Sequence, residues 1–210
     1  MEINTFANML VQIHPKNPDE RKIRMVIDCL KKGGVIIYPT DTVYGIGCDI
    51  EHPEAIQRIC SIKKVNPEKT QLSFLCADLS HLSEYTKPID TPIYRFLKQY
   101  LPGPYTFILE ANKKVPKLLR TRKDQVGIRV PDNPISQIIL KELGRPVLST
   151  SLPLPEDHAI YADPEEIHEI FEKQVDMVID GGYGGLIPST IVDCTVHPPV
   201  VLREGAGEIE

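Results

Sequence analysis

Hydroxyl and basic side chains recur where the apolar segments of this sequence end. The stretch YPTDTVYGIG, residues 38–47, follows the apolar run VII and places two threonines, an aspartate and a tyrosine before two glycines. Such a stretch is typical of a turn, because Asp and Thr side chains bond nearby backbone, but a binding edge would use the same residues. Comparable side chains end other segments. The full set, this stretch included, is Thr40, Thr42, Tyr44, Lys63, Lys64, Arg129, Ser149, Thr150, Ser151, Ser189, Thr190 and Arg203.

Taken together, this set predicts a site for an anionic ligand. Hydroxyls and cations without a nucleophile suit a ligand that is positioned and neutralised, as in phosphoryl or nucleotidyl transfer. Ligands of open α/β sheets bind outside the strand ends, so we expect the set to lie there. The alternative for any single member is a turn hydroxyl or a surface base.

Several other kinds of site are excluded by their missing motifs. The sequence has no G-x-x-x-x-G-K-[ST], no G-x-S-x-G and no complete G-x-G-x-x-G at a strand-to-helix turn. The six histidines lack H-E-x-x-H pairing, and the five scattered cysteines include no C-x-x-C. We therefore predict no protein-held metal site, and we interpret the cysteines as buried thiols.

Composition is that of an ordinary globular protein. With 210 residues, 41% hydrophobic and 25% charged, the chain has enough apolar side chains for a sizeable core, and we expect one domain, residues 1–210. No apolar run approaches the roughly 20 residues that cross a bilayer, and the start lacks a signal-like pattern. A cytoplasmic protein without a membrane partner is the expectation.

Charge is unevenly distributed along the chain, whose net charge is −5. Residues 113–129 are strongly basic and residues 155–176 strongly acidic. Each segment has a simple interpretation as a solvated face. The basic one is alternatively a surface for phosphate backbones, with six candidate RNA-binding residues: Lys113, Lys114, Lys117, Arg120, Arg122 and Lys123.

Helical and extended patterns alternate along the sequence. Residues 17–34 and 133–144 share one pattern, in which a Pro starts an apolar stripe of helical spacing and Gly ends it. Further helices are predicted over 53–64, 91–101 and from Asp163. Strands are predicted at VIIY, LSFLC, YTFILEA, VGIRV, PVLSTS, DMVID, STIVD and VVLRE. The alternation indicates an α/β (α+β) fold with a mixed sheet of about seven strands flanked by helices.

Six motifs, in order over nearly the whole chain, resemble the YrdC family and specifically its YciO branch. They are YPTDTVYGIG, LPGPYTFIL, VGIRVPDNP, PVLSTS, STIVD and LREG. The resemblance implies a YrdC/RibB-like twisted mixed sheet with a large open cleft. It also implies synthesis of threonylcarbamoyl-AMP from threonine, bicarbonate and ATP, with magnesium, for threonylcarbamoyladenosine in tRNA. Family members are also described as binding double-stranded RNA.

The same resemblance implies roles for individual residues. Thr40, Tyr44 and Ser151 would hold the amino acid, and Lys63 would lie near carbamate and phosphates. The nucleotide would be bound by Lys63, Arg129, Ser149, Ser189, Thr190 and Arg203. Two of these cations, Lys63 and Arg203, are also the candidate catalytic residues.

Three positions depart from the family motifs. Val65 stands where the family motif K-x-R has its arginine, and Pro153 stands where S-x-N has its asparagine. Pro188 stands where the family has a glutamate before the S-T pair. Losing one charge-assisted hydrogen bond costs about 1.5–3 kcal/mol, so a weakened synthase is expected. Two alternatives stay open: a non-catalytic RNA-binding protein that uses the same cleft, and another small-molecule nucleotidyl or carbamoyl transferase.

Overall fold

A computed structural model describes residues 8–65, 72–80, 82–115, 124–152 and 161–210. Over these ranges the chain forms one sheet of ten strands. They are β1 (Met9–Gln12), β2 (Val35–Tyr38), β3 (Gly45–Asp49), β4 (Ser73–Leu75), β5 (Tyr105–Glu110), β6 (Gln125–Arg129), β7 (Val147–Ser151), β8 (Met177–Asp180), β9 (Thr190–Asp193) and β10 (Val200–Arg203).

The sheet is mixed, with the spatial order β1-β8-β2-β3-β7-β4-β6-β5-β9-β10. Strand β7 lies at the centre and pairs antiparallel with both β3 and β4. Parallel pairs join β1 to β8, β8 to β2, β4 to β6, and β5 to β9. The predicted α/β class with a mixed sheet is confirmed.

Five α-helices cover the sheet unequally in the described ranges. They are α1 (Glu20–Lys31), α2 (Pro53–Ile62), α3 (Thr91–Tyr100), α4 (Pro134–Leu143) and α5 (Pro164–Phe171). Buried residues of α2, α3 and α5 share one core with Ile37, Phe74 and Phe107. Those of α1 and α4 share the other with Ile36 and Tyr38, and that core reaches no further across the sheet than β7 and β4. The helices of the described ranges therefore leave the second face uncovered over β6, β5, β9 and β10.

Helix α4 begins and ends at the residues that the sequence indicated, Asn133 and Gly144, whereas α1 begins later than predicted, because Asp19, expected in its first turn, is its N-cap. Asp19 accepts hydrogen bonds from the first amides of α1, and Asn133 does the same for α4. Gly144 ends α4 at φ 74°, a left-handed conformation that glycine adopts without a Cβ penalty. These caps explain why the helix predictions are confirmed.

The predicted number of about seven strands is wrong, since the sheet has ten. The apolar pattern did not indicate β1 and β3. Strand β1 is a four-residue edge strand in which only Val11 is fully buried, so its periodicity is weak. Strand β3 contains Gly45 and Gly47, and glycine disfavours a strand when only sequence is considered.

Candidate active site

The strand register brings several polar residues to the second face, up to the border of its uncovered half. Tyr38 pairs with Gly45, Gly47 pairs with Ser149, and Ser149 pairs with Ser73. Directly paired residues point to the same side of a sheet, so these side chains share a face. The site therefore lies on the sheet face itself, and the expected location at a strand end is wrong for Ser149, which lies within β7.

A cleft that is open to solvent lies over this half of the face. Its lining comes from β3, β4, β5, β6, β7 and β9, the loops after β2 and before β9, and the end of β10. It consists of Thr40, Val43, Tyr44, Gly45, Ser73, Leu75, Thr106, Arg129, Ser149, Thr150, Ser151, Pro188, Ser189, Ile191 and Arg203. Among the described residues the lining offers hydroxyls and two guanidinium groups but no carboxylate, so the cleft fits an anionic ligand.

The Tyr38 ring crosses β3 and brings its hydroxyl to Ser149, a residue of the cleft lining. A Cβ added to Gly45 would lie 3.2 Å from Tyr38 Cζ, and one added to Gly47 would lie 3.0 Å from Tyr38 Cε1. The two glycines thus form a trough for the tyrosine ring. At its end the Tyr38 hydroxyl donates to Ser149 Oγ at 2.5 Å. Burial raises the pKa of Tyr38 to about 12, so the phenol stays protonated at neutral pH.

The loop after β2 is organised around Arg129. Its Nη2 donates to the hydroxyls of Thr40 and Thr42 at 3.1 and 2.7 Å, and to Asp41 Oδ1 at 2.5 Å. Both ends of the Asp41–Arg129 ion pair are buried, and Asp41 Oδ2 and Arg129 Nε have no hydrogen-bond partner in the part of the chain that the structure describes. The Thr40 hydroxyl uses its single hydrogen within the protein, since it donates to the Val43 carbonyl at 2.7 Å.

Arg203 is the second cation of the cleft. Its Nη2 donates to the Ser189 carbonyl at 2.6 Å, and the Ser189 hydroxyl lies 3.0 Å from Thr106 Oγ1. Partial burial and, to a lesser extent, the charge of Arg129 lower the pKa of Arg203. Arg203 forms no ion pair with the described carboxylates. An anion bound here would relieve the repulsion between the two arginines.

Lys63 lies at the edge of the cleft and not in its lining. It is the residue that ends α2, and its Nζ donates to the Ser151 carbonyl at 2.5 Å. Burial lowers the pKa of Lys63 from 10.5 to about 8. The ammonium is therefore desolvated and has a carbonyl, rather than a carboxylate, as its observed partner.

Two predicted site residues have hydroxyls that bind backbone. Tyr44 lines the cleft with its ring, while its hydroxyl donates to the Gly182 carbonyl and accepts from the Gly181 amide. Thr190 lies outside the lining, and its hydroxyl donates to the Gly207 carbonyl at 2.5 Å. The structure therefore gives both hydroxyls a part in holding neighbouring segments. The cleft brings together Thr40, Tyr44, Arg129, Ser149, Ser151, Ser189 and Arg203.

The departures from the family motifs fall at different places. Val65 is partly buried and packs against the core that contains α2. Pro188 lines the cleft directly before Ser189. Pro153 lies outside the described residues, as do Lys117, Arg120, Arg122 and Lys123 of the basic segment. Lys113 and Lys114 are exposed, and RNA binding by this segment stays a prediction.

Sequence reasoning missed Tyr38, Ser73 and Thr106 as site residues. Tyr38 and Thr106 belong to largely apolar segments, which indicate core rather than ligand contact. Ser73 is half-exposed within a buried strand, between Leu72 and Phe74. Only the pairing of Ser73 with Ser149 would have identified it, and that pairing needs the register of strands 75 residues apart along the chain.

These features define a class: a mixed α/β protein with a cleft lined by hydroxyls and arginines on the half-covered face of its sheet. The chain belongs to the Sua5/YciO/YrdC family, whose profile, described as "Telomere recombination", matches residues 28–205. None of the helices in the described ranges has the length and apolarity needed to cross a membrane.

Relatives and solved structures agree with this membership. The chain is 47% identical over 199 residues to "Uncharacterized protein YciO" of Escherichia coli K12, covering 94% of this chain and 96% of that protein. The crystal structure of E. coli YciO superposes with a TM-score of 0.89, over 95% and 97% of the two chains, at 46% identity.

Two further relatives carry a functional name or a ligand. The chain is 31% identical over 178 residues to "Threonylcarbamoyl-AMP synthase" of Pseudoalteromonas translucida, covering 83% of this chain and 94% of that protein. The crystal structure of P. abyssi Sua5 complexed with L-threonine superposes with a TM-score of 0.85 at 27% identity, over 94% of this chain and 57% of that one.

Proposed function

We propose that this protein is an ATP-dependent nucleotidyltransferase of the threonylcarbamoyl-AMP synthase type. In the proposed reaction threonine and bicarbonate form a carbamate, the carbamate attacks the α-phosphorus of ATP, and threonylcarbamoyl-AMP, pyrophosphate and water result. The observation that carries the proposal is the cleft lining, in which Arg129, Arg203 and a row of serines face a ligand space without a described carboxylate. The synthase relative at 31% identity supports this choice of reaction.

The proposed chemistry needs positioning and charge stabilisation more than a nucleophilic side chain. Arg203 and Ser189 would bind phosphate oxygens, because a guanidinium without a carboxylate partner among the described residues gains most from an anion. Arg129, held by Thr40 and Thr42, would bind the amino-acid or carbamate carboxylate. Lys63 would neutralise charge that develops near Ser151.

Magnesium would enter with the nucleotide. Among the described residues no group of three metal-ligating side chains is present, and the cleft lining there holds no carboxylate. Mg²⁺ commonly keeps several waters and is bound through substrate phosphates. The described lining residues therefore fit a magnesium ion that is held by the nucleotide phosphates and water. They do not fit a magnesium site built from protein carboxylates.

The direct test measures pyrophosphate and the AMP adduct after incubation with ATP, magnesium, bicarbonate and each of several amino acids. We expect release that depends on both threonine and bicarbonate. Arg203→Ala should reduce it at least about tenfold, since it removes a charge-assisted contact, whereas Lys98→Ala on the exposed side of α3 should not. If ATP binds but neither threonine nor bicarbonate affects pyrophosphate release, the proposed function is wrong.

A further inference from the structure

Tyr38, which lies outside the cleft lining, orients the hydroxyl of Ser149. Ser149 lines the cleft, and its Oγ accepts the Tyr38 hydrogen at 2.5 Å. A hydroxyl that accepts from one neighbour has one lone pair occupied, and its own hydrogen must point elsewhere. In a chain of two hydroxyls the first also polarises the second and strengthens it as a donor.

The structure fixes this arrangement through the backbone. Tyr38 is 2% exposed and lies in the trough over Gly45 and Gly47, where a Cβ at Gly45 would also lie 3.4 Å from Ser149 Oγ. The ring cannot turn its hydroxyl to solvent without leaving that trough. Since the phenol stays protonated at neutral pH, it donates to Ser149 throughout the physiological range.

We infer that Tyr38 is a positioning residue that holds Ser149 as a hydrogen-bond donor toward the ligand, so that this subsite selects an oxyanion oxygen carrying no hydrogen. A carboxylate oxygen or a fully ionised phosphate oxygen has this chemistry, whereas an amide N–H, a hydroxyl or a P–OH does not. The inference rests on the proposed function only in taking the cleft to be a site for anionic substrates.

Two inorganic anions test the selectivity without any reaction. At about pH 8 sulfate carries no hydrogen, whereas phosphate, which is then mostly hydrogenphosphate of equal charge, carries one P–OH that needs an acceptor. The dissociation constants of both anions are measured by NMR titration for wild type, Tyr38→Phe, Ser149→Ala, the double variant and Tyr105→Phe. Tyr105 is the matched control, because its buried hydroxyl donates to the Glu208 carbonyl at 2.8 Å and the residue lies outside the cleft lining.

Wild type should prefer sulfate, and Ser149→Ala should weaken sulfate binding about tenfold. Tyr38→Phe should weaken sulfate more than phosphate, lowering the preference about fivefold, because the Ser149 hydroxyl is then free to rotate and can turn a lone pair toward a P–OH. The double variant should bind sulfate as Ser149→Ala does, since Tyr38 acts through Ser149. Tyr105→Phe should leave the preference unchanged.

Three outcomes would overturn the inference: a Tyr38→Phe protein with the wild-type preference, a double variant clearly weaker than Ser149→Ala, or a wild type that binds neither anion. Cooperative thermal unfolding of every variant verifies that each is folded. The test is separate from that of the proposed function, because an anion preference that depends on Tyr38 can occur in a protein that makes no threonylcarbamoyl-AMP. Conversely, synthase activity with an unchanged preference would reject only the role of Tyr38.

Discussion

Lys63 and Ser151 join α2 to the central strand of the sheet through one hydrogen bond, in which the Lys63 ammonium donates to the Ser151 carbonyl at 2.5 Å. This bond holds the amine at the edge of the cleft, where burial lowers its pKa to about 8. A lysine in this position carries its charge below pH 8 and loses it above, well before an exposed lysine would.

The first prediction is a pH dependence of ATP binding. Affinity should begin to fall as pH rises through about 8, because the protonated Lys63 is the form that attracts phosphate. Lys63→Arg should keep its affinity to higher pH, and Lys63→Met should bind more weakly with no change between pH 7.5 and 9.5. Calorimetric titrations across this range measure it. A wild-type affinity that stays constant until near pH 10 would contradict a role for Lys63.

The second prediction concerns the buried ion pair between Asp41 and Arg129. Asp41→Asn should lower the free energy of unfolding by about 3 kcal/mol, since it leaves a buried guanidinium without its counter-charge. Bound sulfate or ATP should raise the melting temperature of this variant more than that of wild type, because the anion restores charge balance at Arg129. Asp132→Asn, at an exposed aspartate, is the control. A loss below about 1 kcal/mol would show that the pair contributes little.

The third prediction tests the glycine trough. Gly47→Ala should destabilise the protein by about 2–3 kcal/mol, because its Cβ would lie 2.6 Å from the Leu148 carbonyl oxygen, which belongs to the backbone of β7. Gly45→Ala should cost less, since its closest contacts are at 3.2–3.4 Å. Denaturant midpoints at constant m-value compare the two. Equal losses would mean that β3 and β7 separate easily at this point.

The fourth prediction addresses the departure at Val65. Val65→Arg should raise threonine- and bicarbonate-dependent pyrophosphate release, by up to about thirtyfold if the restored contact is worth roughly 2 kcal/mol in the transition state. Val65→Met is the matched control, since it adds length without charge. Val65 is partly buried, so some loss of stability is expected in both. A folded, ATP-binding Val65→Arg protein without increased activity would contradict the weakened-synthase account.

The helices and most strands could be predicted because their signals are local. Asn133 and Gly144 mark the ends of α4 through a side-chain cap and a positive φ, which act within a few residues. The polar members of the cleft were also recognisable by type. Their arrangement on a sheet face was not, because it depends on the pairing of strands far apart in sequence, and no local rule gives that register.

Tyr38 illustrates the same limit at one residue. Within VIIY it is the end of a buried strand, and the sequence interpretation of a core residue is correct, since Tyr38 is 2% exposed. Its second role arises only because Gly45 and Gly47 let the ring cross β3 to reach Ser149. The glycine spacing was visible in the sequence, but its meaning required β3, which the strand pattern did not indicate.

The central place of β7 in the strand order has a consequence for folding kinetics. Strands β1, β8, β2 and β3 lie on one side of β7, and β4, β6, β5, β9 and β10 lie on the other. The sheet becomes continuous only when β7 inserts between β3 and β4, about 100 and 75 residues from its partners in the chain. Such long loop closures are slow, and the same insertion delivers Ser149 and Ser151 to the cleft. An anion that binds at Ser149 and Ser151 therefore stabilises the completed sheet by mass action, and not one loop alone.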